Sequence, residues 1–64
     1  MRIFWVYEVF NWFGISEGLF ASYASGADEA KDRIFDMFEY PVSHVRFIEG
    51  VLSFRELDFE VELI

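Results

Sequence analysis

Ile3-Phe4-Trp5-Val6-Tyr7-Glu8-Val9-Phe10-Asn11-Trp12-Phe13 is a run of β-branched and aromatic residues broken only by Glu8 and Asn11. Such side chains fit a pleated, half-buried surface, so 2–13 predicts a first strand. Turn signals fill 14–18, between Gly14 and Gly18, and 19–25 returns as a second strand. The pair is most simply a hairpin. Side chains alternate across a strand, and both faces come out apolar. Phe4, Val6, Phe10 and Trp12 share one face; Ile3, Trp5, Tyr7, Val9 and Phe13 share the other. One face should take a helix, and the other needs a cover or stays as an exposed aromatic patch.

The helix follows directly. Ser25 is placed to cap it, with Asp28 three residues on in an S-x-x-D arrangement that resembles a capping box. Asp28 and Glu29 in the first turn complement the helix dipole. Ala27, Ala30, Ile34, Met37 and Phe38 recur at helical spacing as the buried stripe, and Tyr40-Pro41 ends the helix. Strand character resumes after Pro41, with Val45, Phe47, Val51 and Leu52 apolar and Gly50 marking a bulge or a close backbone approach. Ser53 to Arg55 turns the chain into 56–64, where Leu57, Phe59, Val61 and Leu63 alternate with Glu56, Asp58, Glu60 and Glu62. The expected fold is α+β: a small antiparallel sheet of three to four strands with one helix packed on a face, in the order β-β-α-β-β. The alternative is a long bent third strand that continues into the last, giving β-β-α-β.

Composition bounds the function. Sixty-four residues make one domain near the lower limit for a self-sufficient core. The nine Phe, two Trp and three Tyr bury about 150–250 Å² each, enough to build that core and to exclude a disordered acidic tail. There is no cysteine, hence no disulfide or thiolate chemistry, which fits an intracellular protein. No apolar run is long enough to span a membrane, and 3–13 lacks the features of a signal peptide. The chain begins with Met1 and reads as a complete small gene product. Twelve acids against five bases leave a net charge of −7, which repels nucleic acid and anionic membranes and attracts basic surfaces.

That charge is patterned. Asp28, Asp32, Asp36 and Glu39 form one stripe of the helix, beside a compensating Glu29–Arg33 pair. In an extended strand, Glu56, Asp58, Glu60 and Glu62 would line one face at about 6.6–6.8 Å intervals, similar to the separation of phosphates along a DNA strand. Taken singly, each row is an ordinary solvated face. Two rows in so short a chain point to an interaction surface. Trp5, Tyr7 and Trp12 on the hairpin are candidate anchors, since aromatic residues are enriched in interface hot spots.

Catalytic patterns are absent from the sequence. His44 follows Ser43, and neighbours in a strand point to opposite faces, so they are poorly placed as nucleophile and base. The spacing of a calcium loop is missing, and the glycines form no phosphate cradle. No enzyme activity, cofactor or metal site is expected.

A cysteine-free, aromatic-rich, acidic chain with the helix Ala27-Asp28-Glu29-Ala30-Lys31-Asp32-Arg33 behind a hairpin resembles small phage-encoded inhibitors, the anti-CRISPR proteins and the inhibitors of host RNA polymerase. The resemblance lies in the plan of the chain. It implies a stoichiometric inhibitor in the bacterial cytoplasm that binds a nucleic-acid-handling protein, foremost a CRISPR effector complex, and blocks nucleic-acid access by DNA mimicry. Inhibition of RNA polymerase is the first alternative. A small structural or regulatory homodimer, with the aromatic hairpin face as its seam, is the second.

Overall fold

The computed structural model describes residues 1–38 and 42–64. Its elements are β1 (Ile3–Phe10), β2 (Ser16–Ala24), α1 (Ala27–Met37), β3 (His44–Val51), a one-turn 3-10 helix (Phe54–Glu56) and β4 (Glu62–Leu63). The strands lie in the order β3-β1-β2-β4. The fold is α+β with one helix on a four-stranded sheet. β1 pairs antiparallel with both β2 and β3, but β4 runs parallel to β2, so the sheet is mixed rather than wholly antiparallel. The chain leaves β3 at one edge and reaches β4 at the other, and parallel strands require such a crossover.

The two apolar faces of β1 acquire two covers. Tyr7, Val9, Phe20 and Ala24 pack with Ala30 and Ile34 of α1 and with Val42, and Trp5, Phe38, Val45 and Ile64 complete this core. On the opposite face Val6 and Ala21, paired across β1 and β2, are fully buried. Their cover is the crossover, residues 52–61: the ring of Phe54 lies 4.5 Å from that of Phe4, which also meets Tyr23 at 4.9 Å.

Local chemistry moves several boundaries. β1 stops at Phe10 rather than Phe13, because Asn11-Trp12-Phe13-Gly14 closes a turn in which the Gly14 N–H donates to the Asn11 carbonyl at 3.0 Å. Asn at the first and Gly at the fourth position is the signature of a type I turn, and it outweighs the strand propensity of Trp12 and Phe13. The helix N-cap is Gly26, without a side-chain cap; the Ser25 hydroxyl instead donates to Glu29 Oε1 at 3.1 Å. Ala30 and Ile34 are buried, whereas Met37 is 40% exposed and Phe38 packs on the core from the non-helical C-cap. Tyr40 and Pro41 lie outside the described residues. Gly50 is a close approach: a Cβ there would sit 2.7 Å from Ile3 Cδ1. The bulge in β3 falls just before it, where Phe47 and Ile48 span the step from Tyr7 to Val6.

The nine-residue acidic strand over 56–64 does not form. Ser53-Phe54-Arg55-Glu56 is a capping box, in which the Ser53 hydroxyl accepts from Arg55 N and the Glu56 carboxylate accepts from Leu52 N and Ser53 N, both at 2.9 Å. Strand pairing returns only at Glu62 and Leu63. The bent continuation of the third strand is excluded for the same reason.

Candidate partner-binding surface

The helix row survives folding. Asp28, Asp32 and Asp36 are exposed and form no ion pair among the described residues; Glu39 lies outside them. Four-residue spacing puts successive carboxylates about 6 Å apart along the axis. α1 leaves β2 at Ala24 and returns toward the hairpin tip, as the 5.2 Å approach of Phe38 to Phe20 and the bond from Ser43 N to Phe10 O show. The row therefore runs toward that tip.

Three of the five cations are drawn elsewhere, whereas Lys31 stands exposed on α1 between Asp28 and Asp32. Glu29 pairs with Arg33 at 3.5 Å, as its spacing in the sequence predicts, and with Arg2 at 3.4 Å. Both arginines also donate to the Tyr23 carbonyl, at the end of the sheet away from the tip. Arg46 bridges to Glu8 at 2.8 Å across β1 and β3. Hydrogen bonds from Ser16 and Arg46 hold the Glu8 carboxyl below the usual carboxylate range.

The C-terminal acids do not form the expected row. Glu56 caps the 3-10 turn, and Asp58 lies on the crossover over the face opposite α1. Glu60 and Glu62 line a cavity of about 250 Å³ at the β2–β4 edge, together with Glu17, Leu19, Phe20 and Val61. Asp58 and the helix row thus lie on opposite sides of the sheet, and the seven described acidic positions do not form one continuous surface.

The three aromatic anchors separate as well. Tyr7 is 5% exposed and its hydroxyl donates to the Ala27 carbonyl at 3.1 Å; Trp5 is half-buried and its indole N–H donates to the Ala24 carbonyl at 3.0 Å. These two tie α1 and the end of β2 to the sheet. Trp12 alone is presented, 70% exposed, and Phe13 and Ile15 beside it are 88% and 62% exposed. The tip is nevertheless ordered: Asn11 Oδ1 accepts from Phe13 N and Ile15 N at 2.9 and 3.0 Å, and Asn11 Nδ2 donates to Glu17 at 2.9 Å. Phe13 and Ile15 are the binding candidates that strand periodicity missed, and the N-x-x-G turn signature was the signal that could have found them.

Ser43 precedes β3, so strand alternation does not separate it from His44 as the sequence suggests. Its Oγ lies 3.1 Å from His44 Nδ1, and the imidazole stacks on Phe10 at 4.7 Å and 12°. The described residues provide no carboxylate to orient the ring. No helix of the described residues is long and apolar enough to cross a membrane. Searches for related proteins match no family model, no curated protein and no solved structure.

Proposed function

We propose that the chain is a stoichiometric inhibitor that seats an acidic surface on the nucleic-acid-binding site of a protein partner, with a CRISPR effector complex as the sharpest form of that partner. The observation that carries the reading is the row Asp28, Asp32 and Asp36: exposed, regularly spaced on a helix fixed to the sheet, and without ion pairs among the described residues, while Arg2, Arg33 and Arg46 are held by Glu29 and Glu8. A site that grips DNA does so with Lys and Arg against phosphates. A rigid row of carboxylates competes for those groups and presents no base edges. Complementary charge also speeds encounter. The apolar tip of Trp12 and Phe13 supplies what a polyanion lacks, an anchor that fits one pocket and not another.

The test is displacement of a fluorescently labelled target duplex from purified CRISPR effector complexes, followed by anisotropy, with bacterial RNA polymerase on promoter DNA as the second arm. Near-stoichiometric displacement from an effector, weakened at least tenfold by Asp32→Lys with Asp36→Lys in a folded protein, supports the reading. Displacement from the polymerase alone moves the partner to transcription. No displacement from either, or displacement untouched by the charge reversals, overturns it.

A further inference from the structure

β3 is an outer strand of the sheet, and among the described residues α1 packs chiefly on β2 and covers little of β3 on the helix side. Phe47 stands there 50% exposed, with ring centroids 6.1 Å from Trp5 and 5.6 Å from Tyr7. Proteins either protect such edges or use them. The bulge decides how this edge can be used. Arg46 lies opposite Glu8, and Glu49 lies opposite Val6. Glu8 and Val6 share a face of β1, so Arg46 and Glu49 share that face although they are three residues apart. In an unbulged strand they would point to opposite sides. Val45 and Gly50 likewise share the helix side, opposite Val9 and Trp5.

From this register we infer that two copies join edge to edge through β3, antiparallel and over its full length. Aligning His44 with Val51 of the second copy puts Arg46 across from Glu49 and Val45 across from Gly50, each pair on one face. Phe47 falls beside Ile48 of the second copy. The twofold axis makes every contact twice, so two Arg46–Glu49 pairs form. Opposite charges directly across a ladder stabilise it, and like charges weaken it. Arg46 is free to serve both partners: its side chain is 67% exposed beyond the bond to Glu8, and a guanidinium has five donors. Charge also selects this edge over the other. β3 carries one base and one acid, whereas the β2–β4 edge would set Glu17, Glu60 and Glu62 against their own copies.

Light scattering at about 100 μM tests the assignment, with the expected mass twice 7.6 kDa. Glu49→Arg opposes arginine to arginine, and Arg46→Glu opposes carboxylate to carboxylate, so each variant alone should run as a monomer or dissociate at least tenfold more readily. An equimolar mixture of the two should form a heterodimer, because every contact is then a Glu–Arg pair. Circular dichroism of each variant alone establishes that it is folded before mixing, since a partner that binds the folded state would also stabilise it. Phe47→Lys provides an independent break on the other face. A monomeric wild type overturns the inference; so does a dimer that Glu49→Arg and Phe47→Lys both leave intact.

Discussion

Asn11→Ala should loosen the hairpin tip and cost the whole domain a measurable part of its stability. The Asn11 side chain makes three hydrogen bonds, accepting from Phe13 N and Ile15 N and donating to Glu17. A net value of about 0.5–1.5 kcal/mol each gives a range of about 1.5–4.5 kcal/mol. The turn is exposed, so water replaces part of what is lost, and about 2 kcal/mol is the working figure. For a domain of this size that lowers Tm by about 8–16 °C. Thermal melts followed by circular dichroism read the change, and Asn11→Asp separates its parts. The aspartate keeps the acceptor for both turn N–H groups but sets a carboxylate against Glu17. Its deficit should be smaller than that of alanine at neutral pH and should shrink further as pH falls through the ordinary carboxylate range near 4. A melting point for Asn11→Ala within about 2 °C of wild type would refute the view that this side chain holds the tip. An aspartate variant as weak as alanine at pH 4 would refute the role of Oδ1.

Glu56→Ala removes the carboxylate oxygen that accepts from Leu52 N and Ser53 N and should lower stability in urea by about 1–2 kcal/mol, with Glu56→Gln losing less; an unchanged midpoint for alanine would mean that the crossover does not depend on its cap. Tyr7→Phe deletes the donor to the Ala27 carbonyl and should cost about 1–2 kcal/mol. The same tyrosine predicts an alkaline limb. Burial, and then the charge of Asp28, raise its pKa, so the folded protein holds this proton more tightly than the unfolded chain. Its contribution is complete below pH about 10 and is lost as pH rises through the folded value, so stability titrations of Tyr7→Phe should show a shallower alkaline decline.

The residues that were legible in the sequence are those whose local preference agrees with their tertiary role. Ile3 to Phe10 are β formers in a strand covered on both faces, and Ala30 and Ile34 lie on a helical stripe that meets the sheet. Exposure of Asp28, Asp32 and Asp36 follows from the same stripe. The misreadings occur where two local signals compete. At Trp12 and Phe13 aromatic strand propensity masked an N-x-x-G turn, and at Glu56 an alternating pattern masked the S-x-x-E box. Period-two alternation in 56–64 describes a segment lying across the sheet, where Leu57 and Val61 are partly buried, as well as it describes a strand within it. Tyr7 and Trp5 are candidate anchors by strand periodicity alone, because a sequence does not show that their polar tips reach the carbonyls of Ala27 and Ala24. The parallel β2–β4 pair depends on where a ten-residue crossover ends, and no local pattern encodes that.

Separation of the acidic positions removes the simplest form of mimicry, in which one chain carries two rows on one side. The edge-to-edge dimer provides another route to the same surface. Antiparallel β3 strands are related by an axis perpendicular to the sheet, and such an axis keeps each face on its own side. Both α1 helices then lie on one side of an eight-stranded sheet, and each contributes its Asp28, Asp32 and Asp36 row. Two parallel-sided rows of fixed carboxylates resemble a duplex more than a single row does. Inhibition should therefore depend on the dimer. Glu49→Arg, which makes the surface less acidic at β3 but leaves the helix row untouched, should weaken displacement of the duplex, and mixing it with Arg46→Glu should restore it. Restoration on mixing would separate a requirement for two rows from a direct contact of Glu49 with the partner. Full inhibition by a monomeric Glu49→Arg protein would show that one helix row and the Trp12 tip suffice.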